Sequence, residues 1–293
     1  MTRVLDRDDR HDGVEVAATP AAGSGETARA PRHRWRPSRT VTLNLAAVTT
    51  LLLLWQLVAT VGGEDPTLRP SPVLVAKTLF ELSGTDNGGY EGLPWWQHLL
   101  ISARRIGIGA GIGVVLGLLL GVLMGVIAWL RTVLTPLLSL LRALPPLAYF
   151  SLVIIWFGID ETPKLVLLGL AALPPVAAVT AEAVTQAPQS LIEAARSLGG
   201  SRAQVIRDVL VPSALPQVIT GIRLALAIAI SSLVAAETVN GLPGIGGMIR
   251  DAQAYNNTAV VVVGLFAIGI GALGLDALIA ALGRRLTPWT GRA

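Results

Sequence analysis

Two long runs without a charged residue, Val41 to Val61 and Ile106 to Leu130, decide what this chain can fold into. About 20 apolar residues suffice to cross a bilayer as a helix, and in lipid each backbone N–H and C=O must be satisfied within the structure that spans it. Helices meet that demand locally. Further apolar segments follow at Leu134 to Phe157, interrupted by Arg142, and at Leu165 to Ala183, charged only at Glu182. Two more lie at Ile219 to Val239 and Thr258 to Leu282. The expected fold class is therefore all-α, a polytopic membrane protein with six transmembrane helices. A composition of 52% hydrophobic and 14% charged residues agrees with it.

The cations set the expected topology. Arg29, Arg32, Arg34, Arg36 and Arg39 precede the first span, and Arg284, Arg285 and Arg292 follow the last. The excess of Lys and Arg in cytoplasmic loops then places both termini inside, as an even number of spans requires. The segment from Glu182 to Pro216, with Arg196, Arg202 and Arg207, falls inside too. Arg104 and Arg105 come near the external end of span two, where they are expected in a surface helix or snorkelling to the interface. Residues 1–40 lack apolar periodicity and read as a disordered cytoplasmic tail. The first apolar run is too long and too far from Met1 for a cleaved signal peptide, so a retained anchor over 41–61 is expected. Residues 62–94 form an external loop, punctuated by Pro66, Pro70, Pro72 and Pro94, with a short amphipathic helix over Val73 to Leu82. Trp95 and Trp96 suit an interfacial belt.

Several functions are excluded or disfavoured. The sequence pI near 10.1 comes from cations dispersed along membrane boundaries, which fits anionic lipid better than nucleic acid. No cysteine is present, so thiolate metal sites and cysteine nucleophiles are ruled out. His11, His33 and His98 are too scattered for a metal cluster, and no metal site is expected. A nucleotide-binding P-loop needs Gly-Lys-Ser/Thr, whereas Lys77 follows Ala76 and Lys164 follows Pro163. The energy source is expected on another polypeptide.

Span two carries Gly109, Gly113, Gly117, Gly121 and Gly125. Four-residue spacing puts them on one helix face, where a neighbouring helix can approach closely. Pro145-Pro146 and Pro174-Pro175 are expected to interrupt spans three and four. Glu237 closes span five and Asp276 lies in span six; the two could form a proton or cation path, the basis for a rival reading as an ion-coupled secondary transporter. Gly241 to Gly247 lacks the preceding strand of a phosphate loop and reads as a turn on the external side.

Inside this apolar chain, Ser190 to Pro216 is a polar, helical device. Ser190 with Glu193, and Ser201 with Gln204, each fit a capping box, so two short helices are expected, separated by Gly199-Gly200. Pro212 should discourage continuation of the second. Leu191, Ala194, Ala195 and Leu198 make one small apolar stripe; Ile206, Val209 and Leu210 make another. Helices of this kind want a partner groove.

Glu193-Ala194-Ala195, three residues, Gly199, nine residues, then Val209-x-Val211-Pro212 resembles the EAA motif of ATP-binding-cassette importer permeases. The resemblance continues in Pro145-Pro146-Leu147-Ala148, Ile155 to Asp160 and Arg284 to Trp289, which look like the nitrate, sulfonate and taurine branch. It implies the type I importer permease fold over residues 95–285, with a coupling loop at about 188–212 and a cytoplasmic tail over 286–293. Glu193, Ala194, Ala195, Gly199, Arg202, Val209, Val211 and Pro212 would engage the ATPase. Pro145, Trp156, Glu237 and Gly244 would border the substrate path, the Gly241 to Gly247 turn being re-entrant. The implied partners are a second permease copy, two ATPase subunits that hold ATP and Mg, an extracytoplasmic substrate-binding protein and the plasma membrane bilayer. This chain itself would bind no cofactor and catalyse nothing. The implied cargo is a small organic anion, taurine or an alkanesulfonate, with nitrate, bicarbonate and vitamin precursors as alternatives.

Overall fold

The computed structural model describes residues 39–61, 68–84, 89–239, 241 and 243–290. The expected disordered tail, and His11, His33, Pro66 and Arg292 with it, lie outside the described residues. The described residues 39–48 open the helix α1 (Arg39–Val61) and belong to a unit separate from the one that begins at Thr49, which holds everything described below.

Charge-free apolar runs become helices as lipid demands. After α1 come α2 (Pro72–Glu81), α3 (Trp95–Val126), α4 (Ala128–Ala143), α5 (Pro146–Phe157) and α6 (Glu161–Thr185). Then follow α7 (Gln189–Ser197), α8 (Arg202–Val205), α9 (Val211–Val239), α10 (Ile245–Ala254) and α11 (Thr258–Leu286). Among the described residues the pairing of extended backbone is limited to one isolated bridge, Tyr90 to Leu93. The fold is all-α. Among the described residues five helical stretches are long and apolar enough to cross a membrane, and α4 with α5, bent by 99° at the break, makes a sixth when the pair is counted as one span.

The prolines act as expected at one place and differently at two. Pro145-Pro146 does break span three: Pro145 is the N-cap of α5 and Pro146 its first residue, where a missing N–H costs nothing. Pro174-Pro175 does not interrupt span four, because α6 runs through both, buried. The carbonyls of Leu170 and Ala171 lose their i+4 donors there, and the close packing of neighbours holds the helix together. Pro212 likewise ends nothing. Residues Ile206–Leu210 form a π turn that closes with the Val211 N–H on the Ile206 carbonyl, five residues back. The wider turn makes room for the Pro212 ring, so α8 flows into α9.

The centre of the molecule is the contact of α3 with α6. In membranes, close backbone approach at small residues takes the place of a hydrophobic drive between helices. A Cβ at Gly109 would lie 2.8 Å from the Leu165 carbonyl oxygen, at Gly117 2.9 Å from that of Leu173, at Gly121 2.5 Å from Thr180 Cβ and at Gly125 2.6 Å from Val184 Cβ. At Gly113 it would run into the backbone of Gly169. The glycine face thus lies flat against α6. On the other side, Leu168, Ala172 and Val176 of α6 pack with Ala225, Ala229 and Leu233 of α9. A second cluster joins α2, α10 and α11 through Val75, Ile245, Met248, Val260 and Val263. Helix α2, one residue earlier than expected, starts on Ser71, whose hydroxyl accepts from the Leu74 N–H.

Candidate functional site

The polar segment after α6 is a joint of defined geometry. Its first helix, α7, begins on Pro188, and no side chain caps it. The expected Ser190–Glu193 capping box is absent because the helix starts a residue ahead of Ser190. Pro188 already sets φ to −58° there, which leaves Ser190 inside the first turn. At the other end the chain turns left-handed at Gly199, φ +82°. The Gly199 N–H donates to the Arg196 carbonyl (2.9 Å) and the Gly200 N–H to the Ala195 carbonyl (3.0 Å). These two bonds are a Schellman motif, which satisfies the last carbonyls of α7. Ala195 is thus held through its backbone carbonyl.

The second expected capping box is present. The Ser201 N–H donates to Gln204 Oε1 at 2.8 Å, and the Gln204 N–H donates to Ser201 Oγ at 3.4 Å. From Ser201 the backbone continues through α8 and the π turn into α9, so the joint and a membrane span form one rod. Glu193, Ala194 and Arg202 are exposed, Val205 is buried, and Val209, Val211 and Pro212 are half-buried. Leu198 is 89% exposed beside Gly199. A cavity of about 390 Å³ separates the joint from the ends of α3 and α6, with Gly125, Ile192, Arg196 and Arg202 in its wall.

At the opposite end of the same helices sits a buried ion cluster whose centre was not expected. Arg105 is 4% exposed and neither snorkels nor lies in a surface helix. Its Nη1 donates to Glu237 Oε1 at 2.5 Å and to the Pro243 carbonyl at 2.7 Å. Its Nε and Nη2 grip both carboxylate oxygens of Glu161 at 2.7 and 2.5 Å. Glu237, fully buried, also accepts from Ser102 Oγ (2.8 and 2.9 Å) and from the Gly246 N–H (2.8 Å). Lys164 Nζ lies 3.3 Å from Glu161. Two cations thus face two carboxylates, which is how charge survives at membrane depth. The only sequence signal is the presence of Arg105 inside an apolar helix, a charge that demands a partner without naming it.

The cluster fixes the turn before α10. Gly244 has φ +155°, and a Cβ on it would come within 2.5 Å of Arg105 Nη1 and 2.7 Å of the Glu237 carboxylate. Its N–H donates to His98 Nδ1 (3.2 Å), while His98 Nε2 lies 3.1 Å from the Tyr90 carbonyl. This network assigns the proton to Nε2. The Ile245 N–H donates to Ser102 Oγ at 3.0 Å. Farther out, Tyr90 donates to Asp251 Oδ2 at 2.6 Å. Burial and this bond to a carboxylate push the Tyr90 phenol well above its ordinary pKa.

The four residues expected along a substrate path do not share a site. Glu237 and Gly244 touch inside the buried cluster, whereas Pro145 and Trp156 sit at opposite ends of α5, both exposed. The rival proton path also fails on geometry. Asp276 of α11 does not reach Glu237; it takes a bidentate grip from Arg223 of α9, at 2.6 and 2.7 Å. Among the described residues no cluster of His, Asp or Glu has the arrangement of a metal site.

Comparison with known proteins agrees with this architecture. The family model described as the binding-protein-dependent transport system inner membrane component matches residues 113–288. The taurine transport system permease protein TauC of Escherichia coli (strain K12) is 40% identical over 260 residues, spanning 89% of this chain and 94% of that protein. The putative aliphatic sulfonates transport permease protein SsuC of the same organism is 38% identical over 215 residues, 73% of this chain and 79% of that protein. Among solved structures, the MetNI methionine ABC transporter in an inward-facing conformation shares the fold, with a TM-score of 0.54 and 24% identity over 65% of this chain and 95% of that one. An all-α bundle of apolar spans, a family model over most of it and relatives matched nearly end to end give one answer: this chain belongs to the binding-protein-dependent transport system inner membrane components, multi-pass permease subunits of ABC importers whose ATPase is a separate subunit.

Proposed function

We propose that this permease imports a small organic anion, taurine or an alkanesulfonate, by alternating access. Two copies pair as a homodimer, twelve spans enclosing a path at their interface, and one ATPase subunit holding ATP and Mg docks beneath each. An extracytoplasmic binding protein delivers the cargo. The observation that carries the mechanism is the joint itself. Helix α7 is closed by the Gly199 turn, α8 is opened by the Ser201 capping box, and the backbone then runs unbroken into α9. A push on α7 and α8 is therefore transmitted along the span rather than absorbed in a loop. Leu198 and Leu191, 89% and 50% exposed, are apolar surface for the ATPase cleft, and burying each would contribute about 1.5–3 kcal/mol.

In this reading Glu193, Ala194, Ala195, Gly199, Arg202, Val209, Val211 and Pro212 are the coupling residues. Residues 1–40 and 286–293 are cytoplasmic, 62–94 are external, and the permease domain covers 95–285. The names of the taurine and sulfonate relatives support the cargo. ATP binding closes the ATPase pair and favours the outward-open permease, and hydrolysis resets it; each nucleotide acts by preferring one state.

The test is reconstitution of this chain in proteoliposomes with its ATPase and binding protein. ATP-dependent taurine uptake is expected. Uptake by this chain alone, driven by an ion gradient, would overturn the reading. Reporter fusions after Arg39 and Arg292 are expected to signal cytoplasm, and an external signal from either would break the topology.

A further inference from the structure

We propose that the cavity between α3, α4 and α6 binds an oxyanion, held by Arg131 and Arg142. Helix α4 is two-faced. Arg131, Thr135, Ser139 and Arg142 recur at helical spacing along one side, while Trp129, Val133, Leu137 and Leu140 are exposed on the other. Arg131 and Arg142 are eleven positions apart, about three full turns, so both side chains leave the helix in the same direction. Both line one cavity of about 340 Å³, closed on the α6 side by Ala181, Glu182 and Thr185. Thr185 also borders the cavity under the coupling joint, which places the two on the same side of the bundle.

These two arginines differ from the ion-paired cations of the bundle and, among the described residues, share the lack of a carboxylate partner with Arg104, Arg196, Arg202, Arg250, Arg284 and Arg285; what sets them apart is that both line one cavity. Arg105, Lys164, Arg207 and Arg223 each hold a carboxylate in an ion pair. Among the described residues no carboxylate lies within ion-pairing distance of Arg131 or Arg142. Glu182, the acid in the same wall, instead accepts from Gln186 Nε2 at 3.0 Å. The cavity therefore carries two cations and one carboxylate, a net positive charge on an open groove in which Arg131, Thr135, Ser139, Arg142, Glu182 and Thr185 are all exposed. Like charges turned on one space repel, and cations at the margin of a bilayer need a counter-charge. A guanidinium presents paired N–H donors that match the oxygens of a sulfonate, sulfate or phosphate. The Ser139 hydroxyl supplies a further donor, while Thr135 is engaged with the Arg131 carbonyl at 2.7 Å. The shared chemistry is a tetrahedral oxyanion, which a free anion and a phospholipid headgroup both carry. The apolar face of α4 beside the cavity makes the headgroup a full competitor. This site is independent of the cargo and of the coupling residues.

The experiment uses the full chain purified in detergent. Sodium sulfate is titrated calorimetrically, and retained phospholipid is counted by native mass spectrometry. A saturable sulfate isotherm, weakened at least tenfold in Arg142→Gln and lost in Arg131→Gln/Arg142→Gln, assigns the site to free anions. No isotherm, with a phospholipid adduct lost in the double variant, assigns it to the headgroup. Arg284→Gln, outside the cavity, should alter neither. Should the double variant not fold, phenylglyoxal labelling of the unmutated chain decides: sulfate or added phospholipid should shield Arg131 and Arg142 and leave Arg284 reactive. Binding and retention unchanged in the variants, or labelling unshielded by either ligand, would overturn the proposal.

Discussion

Replacing single glycines of α3 by alanine should give opposite results on opposite faces of one helix. Every such change gains about 1 kcal/mol of intrinsic helix propensity. At Gly107 and Gly111 a Cβ would meet nothing within 4 Å, so these variants should be neutral or more stable by up to about 1 kcal/mol. At Gly113 the Cβ would strike the Gly169 carbonyl, with Gly169 Cα only 2.9 Å away. No flexible side chain stands there to yield; two helix backbones must part. Overpacking costs about 1–3 kcal/mol, and with rigid backbone on both sides the upper end applies. Subtracting the propensity gain leaves Gly113→Ala about 2 kcal/mol less stable. The assay is unfolding of the detergent-purified chain, followed through its tryptophans, for the three variants side by side. Equal stabilities for Gly111→Ala and Gly113→Ala would refute the close approach of α3 to α6. Gly117→Leu, against Val176 and Leu173, should go further and prevent assembly, whereas Leu118→Ile should be mild.

Glu237→Gln leaves Arg105 buried with half its counter-charge, and loss of one partner from a buried pair costs about 3–5 kcal/mol. Thermal unfolding should show that loss, and adding Arg105→Gln should recover part of it; strictly additive losses would deny the pairing. Tyr90→Phe removes the bond to Asp251 and should cost about 1 kcal/mol. Because the folded state raises the phenol's pKa above its ordinary 10.0, this contribution is full below that pH and is lost as pH rises through the folded value. Unmutated protein and Tyr90→Phe should therefore converge in stability only in strong alkali, and a gap closing near neutral pH would contradict the assignment.

Much of this fold is legible in the sequence, for a physical reason. Lipid removes water as an alternative partner for the backbone, so an apolar run has one outcome, and spans one and six lie where their runs lie; α3 starts at Trp95, 11 residues before the Ile106 run, and so takes in Arg104 and Arg105, and α9 starts at Val211, eight residues before Ile219. The second capping box and the Gly199 turn were legible because each is decided by two or three adjacent residues. Failures occur where a residue's effect depends on its surroundings. Pro212 ends a helix in isolation, but a π turn just before it absorbs the ring. Pro174 and Pro175 sit in a span whose neighbours hold it straight. Ser190 and Glu193 have capping spacing, but Pro188 starts the helix first. The partners of Arg105 lie 56 and 132 residues away, and no local pattern announces them. Glu237 stands out in the sequence for its charge at depth, whereas its partners Ser102, Arg105 and the Gly246 N–H come from two other elements and are set by the tertiary fold.

The central claim is that Glu193 to Gly199 transmits force between an ATPase and α9. Gly199→Val tests it most directly. A Cβ there meets nothing within 4 Å, so the change adds no clash and acts through the backbone alone: at φ +82° a β-branched residue is strained by about 1 kcal/mol or more. The Schellman turn should open and α7 should leave its angle to α8, while α3, α6 and α9 remain intact. In proteoliposomes carrying the complete complex, ATP hydrolysis and taurine uptake are measured together. The account predicts a variant that inserts and dimerises normally but either loses its ATPase or hydrolyses ATP without matching uptake. Uptake and hydrolysis at the unmutated rates and ratio would contradict it.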